Sequence, residues 1–87
     1  MNGENAFAAQ NILTLDQLYS YLNEGLYKEH GTMLSAKQNG IVYDFMKAHY
    51  DLRIHNGVPI DIVFKECLAI GRTKAEGFYK KKTKVKK

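Results

Sequence analysis

The chain has one cysteine, one proline and no tryptophan among its 87 residues. A lone Cys67 excludes an internal disulfide framework and a cysteine-based zinc site. It lies in Phe64-Lys65-Glu66-Cys67-Leu68, a helical pattern with Cys67 on or near the buried side. It therefore reads as a small buried apolar residue of a reducing compartment rather than a reactive thiol. No apolar run approaches the ~18 residues of a membrane span. The start, Met1 to Phe7, has neither basic residues nor a long apolar stretch, so no secretory signal is expected. The length suits one domain, and 45% hydrophobic with 25% charged residues is the composition of a globular fold.

Positive charge is scarce in the first 64 residues. Lys28, Lys37, Lys47 and Arg53 stand against seven acidic residues there, a formal −3. Residues 65–87 reverse the balance, with nine basic residues against Glu66 and Glu76, a formal +7. One end of the molecule is thus an electrostatic footprint for a polyanion, of which nucleic acid is the commonest. The plainer alternative is a solvated lysine tail that keeps the protein soluble.

Helix starts are legible as capping boxes, in which a Ser or Thr and a Glu or Gln three residues on satisfy two orphan amides reciprocally. The pattern occurs at Thr14…Gln17, Ser35…Gln38 and Thr73…Glu76. From Thr14 the stripe Leu15, Leu18, Tyr19, Leu22 and Leu26 predicts a helix ended by His30-Gly31. From Ser35 the stripe runs through Ile41, Val42, Phe45, Met46, His49 and Tyr50 to Asn56-Gly57. Pro59 suits the start of a third helix carrying Ile60, Val63, Phe64, Cys67 and Leu68, with a short strand over Ile60–Val63 as the alternative. Ile70-Gly71-Arg72 reads as a break, and Thr73 as the start of a fourth helix with Ala75, Phe78 and Tyr79.

The predicted fold is therefore all-α: a flexible lead over 1–11, a four-helix domain over 12–79 and a basic tail over 80–87. The predicted core is Leu15, Leu18, Leu22, Leu26, Ile41, Phe45, Ile60, Val63, Phe64, Leu68, Ile70, Ala75 and Phe78. An 87-residue chain buries enough for modest stability.

A helix, a three-residue turn and a second helix at about 60–82 would make a helix-turn-helix, whose second helix fits the DNA major groove. Leu68-Ala69-Ile70-Gly71-Arg72-Thr73-Lys74-Ala75-Glu76-Gly77-Phe78-Tyr79-Lys80-Lys81 resembles that unit in phage excisionases and related MerR-like small DNA-binding proteins. The resemblance covers about 20 residues. It implies a recognition helix beginning at Arg72 and Thr73, with Lys74, Glu76 and Gly77 next along the exposed face. Two features depart from the family. Lys65 stands where a small alanine is usual, and no wing follows the unit. Lys80, Lys81, Lys82, Lys84, Lys86 and Lys87 would take over phosphate contacts. Contacts from these six lysines and Arg72 imply a log–log salt slope of roughly −6.

Other chemistry is thinly represented. His30, His49 and His55 lack metal-ligand spacing, Asp44, Asp51 and Asp61 lack a paired acid, and Gly71-Arg72-Thr73-Lys74 is too short for a phosphate loop. No catalytic residue, metal, cofactor or small-molecule substrate is expected. Tyr19, Tyr21 and Tyr27 belong to a set of six tyrosines too many for so small a core. They suggest a protein-contact surface, for a homodimer or a host protein.

The reading is a small DNA-binding regulator or accessory protein acting on double-stranded DNA, by analogy one encoded by a phage or mobile element. Its expected place is the cytoplasm, or the nucleus for a eukaryotic or viral source, where Lys80–Lys87 would serve as a localisation signal. The runner-up is a helical protein-binding modulator whose basic tail grips an acidic surface.

Overall fold

The computed structural model describes residue 7 and residues 10–84, the last four as backbone alone. Three helices take up most of these residues: α1 (Leu15–His30), α2 (Ala36–His55) and α3 (Ile60–Lys84). Two of the three expected capping boxes form. Thr14 Oγ1 accepts from the Gln17 amide at 3.1 Å and Gln17 Oε1 accepts from the Thr14 amide at 3.0 Å. Ser35 and Gln38 exchange the same pair of bonds, both at 3.1 Å. Gly31 ends α1 in the left-handed region, φ 76°, and donates to the Tyr27 carbonyl at 2.7 Å. Gly57, φ 80°, follows α2 in the same conformation, which a Cβ would strain. The Pro59 carbonyl accepts from the amides of Ile62 and Val63 and so opens α3.

The four-helix expectation is corrected to three. The expected turn at Ile70-Gly71-Arg72 does not form, and residues 60–82 lie in one helix of 25 residues. The reason lies in the packing. Val63, Cys67, Gly71, Ala75 and Tyr79 recur every four residues and are all buried. Four-residue steps stay on one face only while the helix continues, so a turn at Gly71 would swing Ala75 and Tyr79 out of the core. Gly71 is there for closeness. A Cβ on it would lie 2.5 Å from Met46 Sδ and 2.8 Å from Leu22 Cδ2. The Thr73…Glu76 pattern is consequently mid-helix and caps nothing. The strand alternative for Ile60–Val63 also fails, since Ile60 opens α3.

α3 is the axis of the molecule. It packs most extensively on α2 and next on α1, while α1 and α2 touch each other least. At 1.5 Å per residue α3 is about 38 Å long, most of the 47 Å long dimension. The core holds Leu18, Leu22 and Leu26 from α1, Val42 and Met46 from α2, and Val63, Phe64, Cys67, Ala75 and Tyr79 from α3. Full burial of a leucine or methionine stabilises by about 1.5–3 kcal/mol. Ile12 and Leu34 add to the core from the connecting segments.

Part of the predicted core is displaced. Phe45 and Ile60 are exposed, and Ile41, Leu68, Ile70 and Phe78 are half-buried. On α2 the inward stripe runs through Val42 and Met46. The sequence offers two apolar stripes on that helix, and only the one through Val42 and Met46 is fully buried. Cys67 is fully buried, as expected. Its thiol donates to the Met46 carbonyl at 3.4 Å, and burial pushes its pKa up to about 11. It remains a thiol at neutral pH and is a poor nucleophile.

Of the expected flexible lead, Phe7, Gln10 and Asn11 are described, and Phe7 is packed. Its ring meets Phe64 edge-on at 5.8 Å, and its carbonyl accepts from the Ile12 amide at 2.9 Å. Asn11, φ 64°, makes the turn between them, a conformation asparagine tolerates better than most residues. At the other end, residues 80–84 of the expected tail continue α3, and residues 85–87 lie outside the described residues.

The glycines of α3 should respond in opposite directions. Gly77 has nothing within 4 Å of an added Cβ, so Gly77→Ala should stabilise by about 0.5–1 kcal/mol through helix propensity. Gly71→Ala gains the same propensity but forces Met46 and Leu22 aside. The net expectation is a loss of about 1–2 kcal/mol, within the usual cost of overpacking. Urea midpoints of the two variants read the difference in sign.

Candidate functional site

The residues singled out for DNA contact are spread round α3 and do not form a single face. Thr73, Gly77 and Lys80 share an exposed strip at i, i+4 and i+7. Arg72 and Glu76 turn towards α1. The Arg72 guanidinium donates to Glu29 at 2.6 Å and lies 3.7 Å from Glu76. Lys74 turns towards α2, its ammonium 4.5 Å from the centre of the Phe45 ring and 5.8 Å from that of Phe78. The side chains of Lys81, Lys82 and Lys84 lie outside the described residues, as does the whole of Lys86 and Lys87. With no turn in α3, residues 60–82 do not take the two-helix arrangement expected of them.

Arg72 is part of a surface cluster that joins α1 to α3. His30 Nε2 lies 3.1 Å from Glu76 Oε1, and its ring stacks on Tyr79 with centroids 4.0 Å apart. The Tyr79 hydroxyl donates to the Thr32 carbonyl at 2.9 Å. Glu29, His30 and Glu76 bring their ligand atoms within 4.8 Å of one another. The two carboxylates already have a cation between them, since Arg72 reaches both. Exposed ion pairs of this kind are worth about 0–1 kcal/mol. Arg72 is thereby oriented along α1 and not locked. Sequence spacing gave no warning of the cluster, because Glu76 stands 46 residues from His30.

On the opposite side of α3 lies an open apolar groove of about 570 Å³. Its wall on α2 is Phe45, and its wall on α3 is Ala69, Ile70, Thr73, Lys74, Gly77 and Phe78. Phe45 keeps 49% of its surface exposed. Three of the residues proposed for DNA contact, Thr73, Lys74 and Gly77, thus line an apolar channel. The sequence carries a signal for the groove in the second stripe of α2, Ile41, Phe45 and Leu52, which the Val42–Met46 stripe leaves uncovered.

The three tyrosines proposed as an interface separate. Tyr19 is half-buried, its ring edge-on to Tyr43 at 5.6 Å and its hydroxyl 3.4 Å from the Asn39 carbonyl. Tyr21 and Tyr27 are exposed. Six residues apart, they diverge by about 120° round the helix and make no common patch.

The histidines also part company. His30 pairs with Glu76, whereas His49 Nε2 lies 2.8 Å from Glu66 between α2 and α3. Arg53 grips the same carboxylate with two donors, Nε at 3.0 Å and a terminal nitrogen at 3.3 Å. The hydrogen bonds from Arg53 and then from His49 hold the Glu66 carboxyl below its ordinary value. A lowered carboxylate stabilises the fold above its unfolded-state pKa, and that contribution fades as the pH falls through the folded-state value. Glu66→Gln should therefore flatten the acid limb of the stability-versus-pH curve while leaving its basic limb in place. Urea midpoints measured from pH 3 to 8 check this. Comparison with models of protein families, with curated proteins and with solved structures finds no match for this chain.

Proposed function

We propose that this chain is a small DNA-binding accessory protein that holds the duplex with the basic end of α3. The observation that carries the reading is the charge distribution. Nine basic residues against two acidic ones fall within residues 65–87, and from Lys80 onwards six lysines occur with no acid among them. The helix that carries Lys80 to Lys84 supports such a role, because lysines on a continuous helical turn keep a spacing that a coil would not. The lysines also suit the negative end of the helix dipole, so they favour the helix that carries them. Binding by this route is governed by phosphate neutralisation and tolerates any sequence. Arg72, turned towards Glu29, is a bystander in this mode, and the regulator role narrows to an accessory or architectural one.

The protein-binding modulator is the second reading, and one observation favours it: the apolar groove beside Phe45.

Fluorescence anisotropy with a random-sequence duplex at three salt concentrations tests the DNA reading. Neutralisation by six lysines gives a log–log slope of about −5. Truncation after Tyr79 should abolish binding, and Arg72→Ala should change affinity by less than about threefold. A truncated chain that binds as well as the full chain, or an affinity indifferent to salt, overturns the reading.

A further inference from the structure

The groove between α2 and α3 has the dimensions and charge of a helix-docking site. Its floor on α3 is made low by Ala69, Thr73 and Gly77, small residues at successive four-residue steps. Among the described residues nothing stands within 4 Å of a Cβ placed on Gly77, so the floor is open there. The opposite wall is Phe45, an aromatic ring half in water, and Leu52 lies seven residues further along α2 with 58% of its surface exposed. From Ala69 to Gly77 the floor is about 12 Å long, matching the about 10 Å between the first and last anchors of an i, i+4, i+7 helix face.

Charge narrows the choice of occupant. Lys74 is the one charged residue in the groove wall, and its ammonium is held over Phe45. Lys80 is exposed one turn beyond the groove, on the way into the lysine-rich end. A second copy docked by the same face would bring the two Lys74 ammonium groups towards each other, because a two-fold interface sets each patch against itself. An occupant with apolar anchors and acidic flanks meets no such penalty. It would cover Phe45 and offer carboxylates to Lys74 and Lys80.

We infer that the α2–α3 groove docks an amphipathic, acidic helix of a partner protein. The inference supplies the partner chemistry of the second reading above and rests on the groove alone, independently of duplex binding.

A display library of helical 18-residue peptides, randomised at every surface position and selected on the immobilised full chain, tests it. Peptides that emerge should combine apolar residues at i, i+4 and i+7 with Asp and Glu beside them. Their affinity, read by anisotropy, should fall at least tenfold in Phe45→Lys and in Gly77→Leu, each first shown to fold by circular dichroism and a thermal melt. Phe45→Lys separates groove from charge, because it destroys an apolar wall while adding a positive group. Peptides that bind Phe45→Lys as tightly or more tightly are held by charge alone, and that result overturns the inference. So does a library that yields no binder, or a concentration-dependent dimer that Gly77→Leu abolishes, which makes a second copy the occupant. If any of these occurs while the full chain still binds duplex, the groove inference fails and the DNA reading stands.

Discussion

Among the glycines of the described residues, Gly71 is the one where an added Cβ would collide with the core. Met46 of α2 and Leu22 of α1 both reach the bare Cα of α3 there, and a methyl group would intrude on both. A helix interior loses about 1 kcal/mol by having glycine in place of alanine. The loss is offset by the room it leaves for the Met46 and Leu22 side chains, with Cys67 and Ala75 fully buried on either side of it. Because α3 must run straight through this point to keep Val63, Cys67, Ala75 and Tyr79 on one face, its continuity and the core are a single constraint.

That constraint distributes the surface chemistry. With the Gly71 face turned inwards, Arg72 is directed along α1 towards Glu29, and Lys74 is directed along α2 over Phe45. Two polar ties, Arg72–Glu29 with His30–Glu76 on one side and Glu66 with Arg53 and His49 on the other, hold α3 against both neighbours. They are weak individually, as partly exposed pairs are. Their value lies in orientation, since they occupy side chains that would otherwise be open to a ligand. Among the described residues α3 leaves its small-residue strip and Lys80 exposed, and the functional proposals rest on that strip and on the charge of the lysine-rich sequence that follows.

The two proposals share one physical feature. A helix that emerges from a packed core and runs on into lysines presents positive charge at one end and apolar surface near its middle. Duplex binding uses the first, and docking of an acidic amphipathic helix uses the second together with its margin. They differ in salt response, because neutralising phosphates releases counterions in proportion to the charges involved, whereas burial of apolar anchors does not.

Local chemistry was determined by the sequence alone. Thr14 with Gln17 and Ser35 with Gln38 start helices whatever surrounds them, because the bonds are made within four residues. Gly31 and Gly57 end helices for an equally local reason, a positive φ. The leucine stripe of α1 and the burial of Cys67 follow from single-helix periodicity. The charge asymmetry needs no fold at all. Tertiary structure decided the rest. Gly71 looks like a turn when only its neighbours are considered, and becomes a contact point once Met46 and Leu22 are brought against it. Thr73 and Glu76 carry a capping pattern that has no free amides to cap. Val42 rather than Ile41 faces inwards because α2 has two apolar stripes and only packing chooses between them. The groove, the Glu29–Arg72 pair and the separation of the tyrosines depend on residues far apart in the chain, and no local preference encodes a distance between helices.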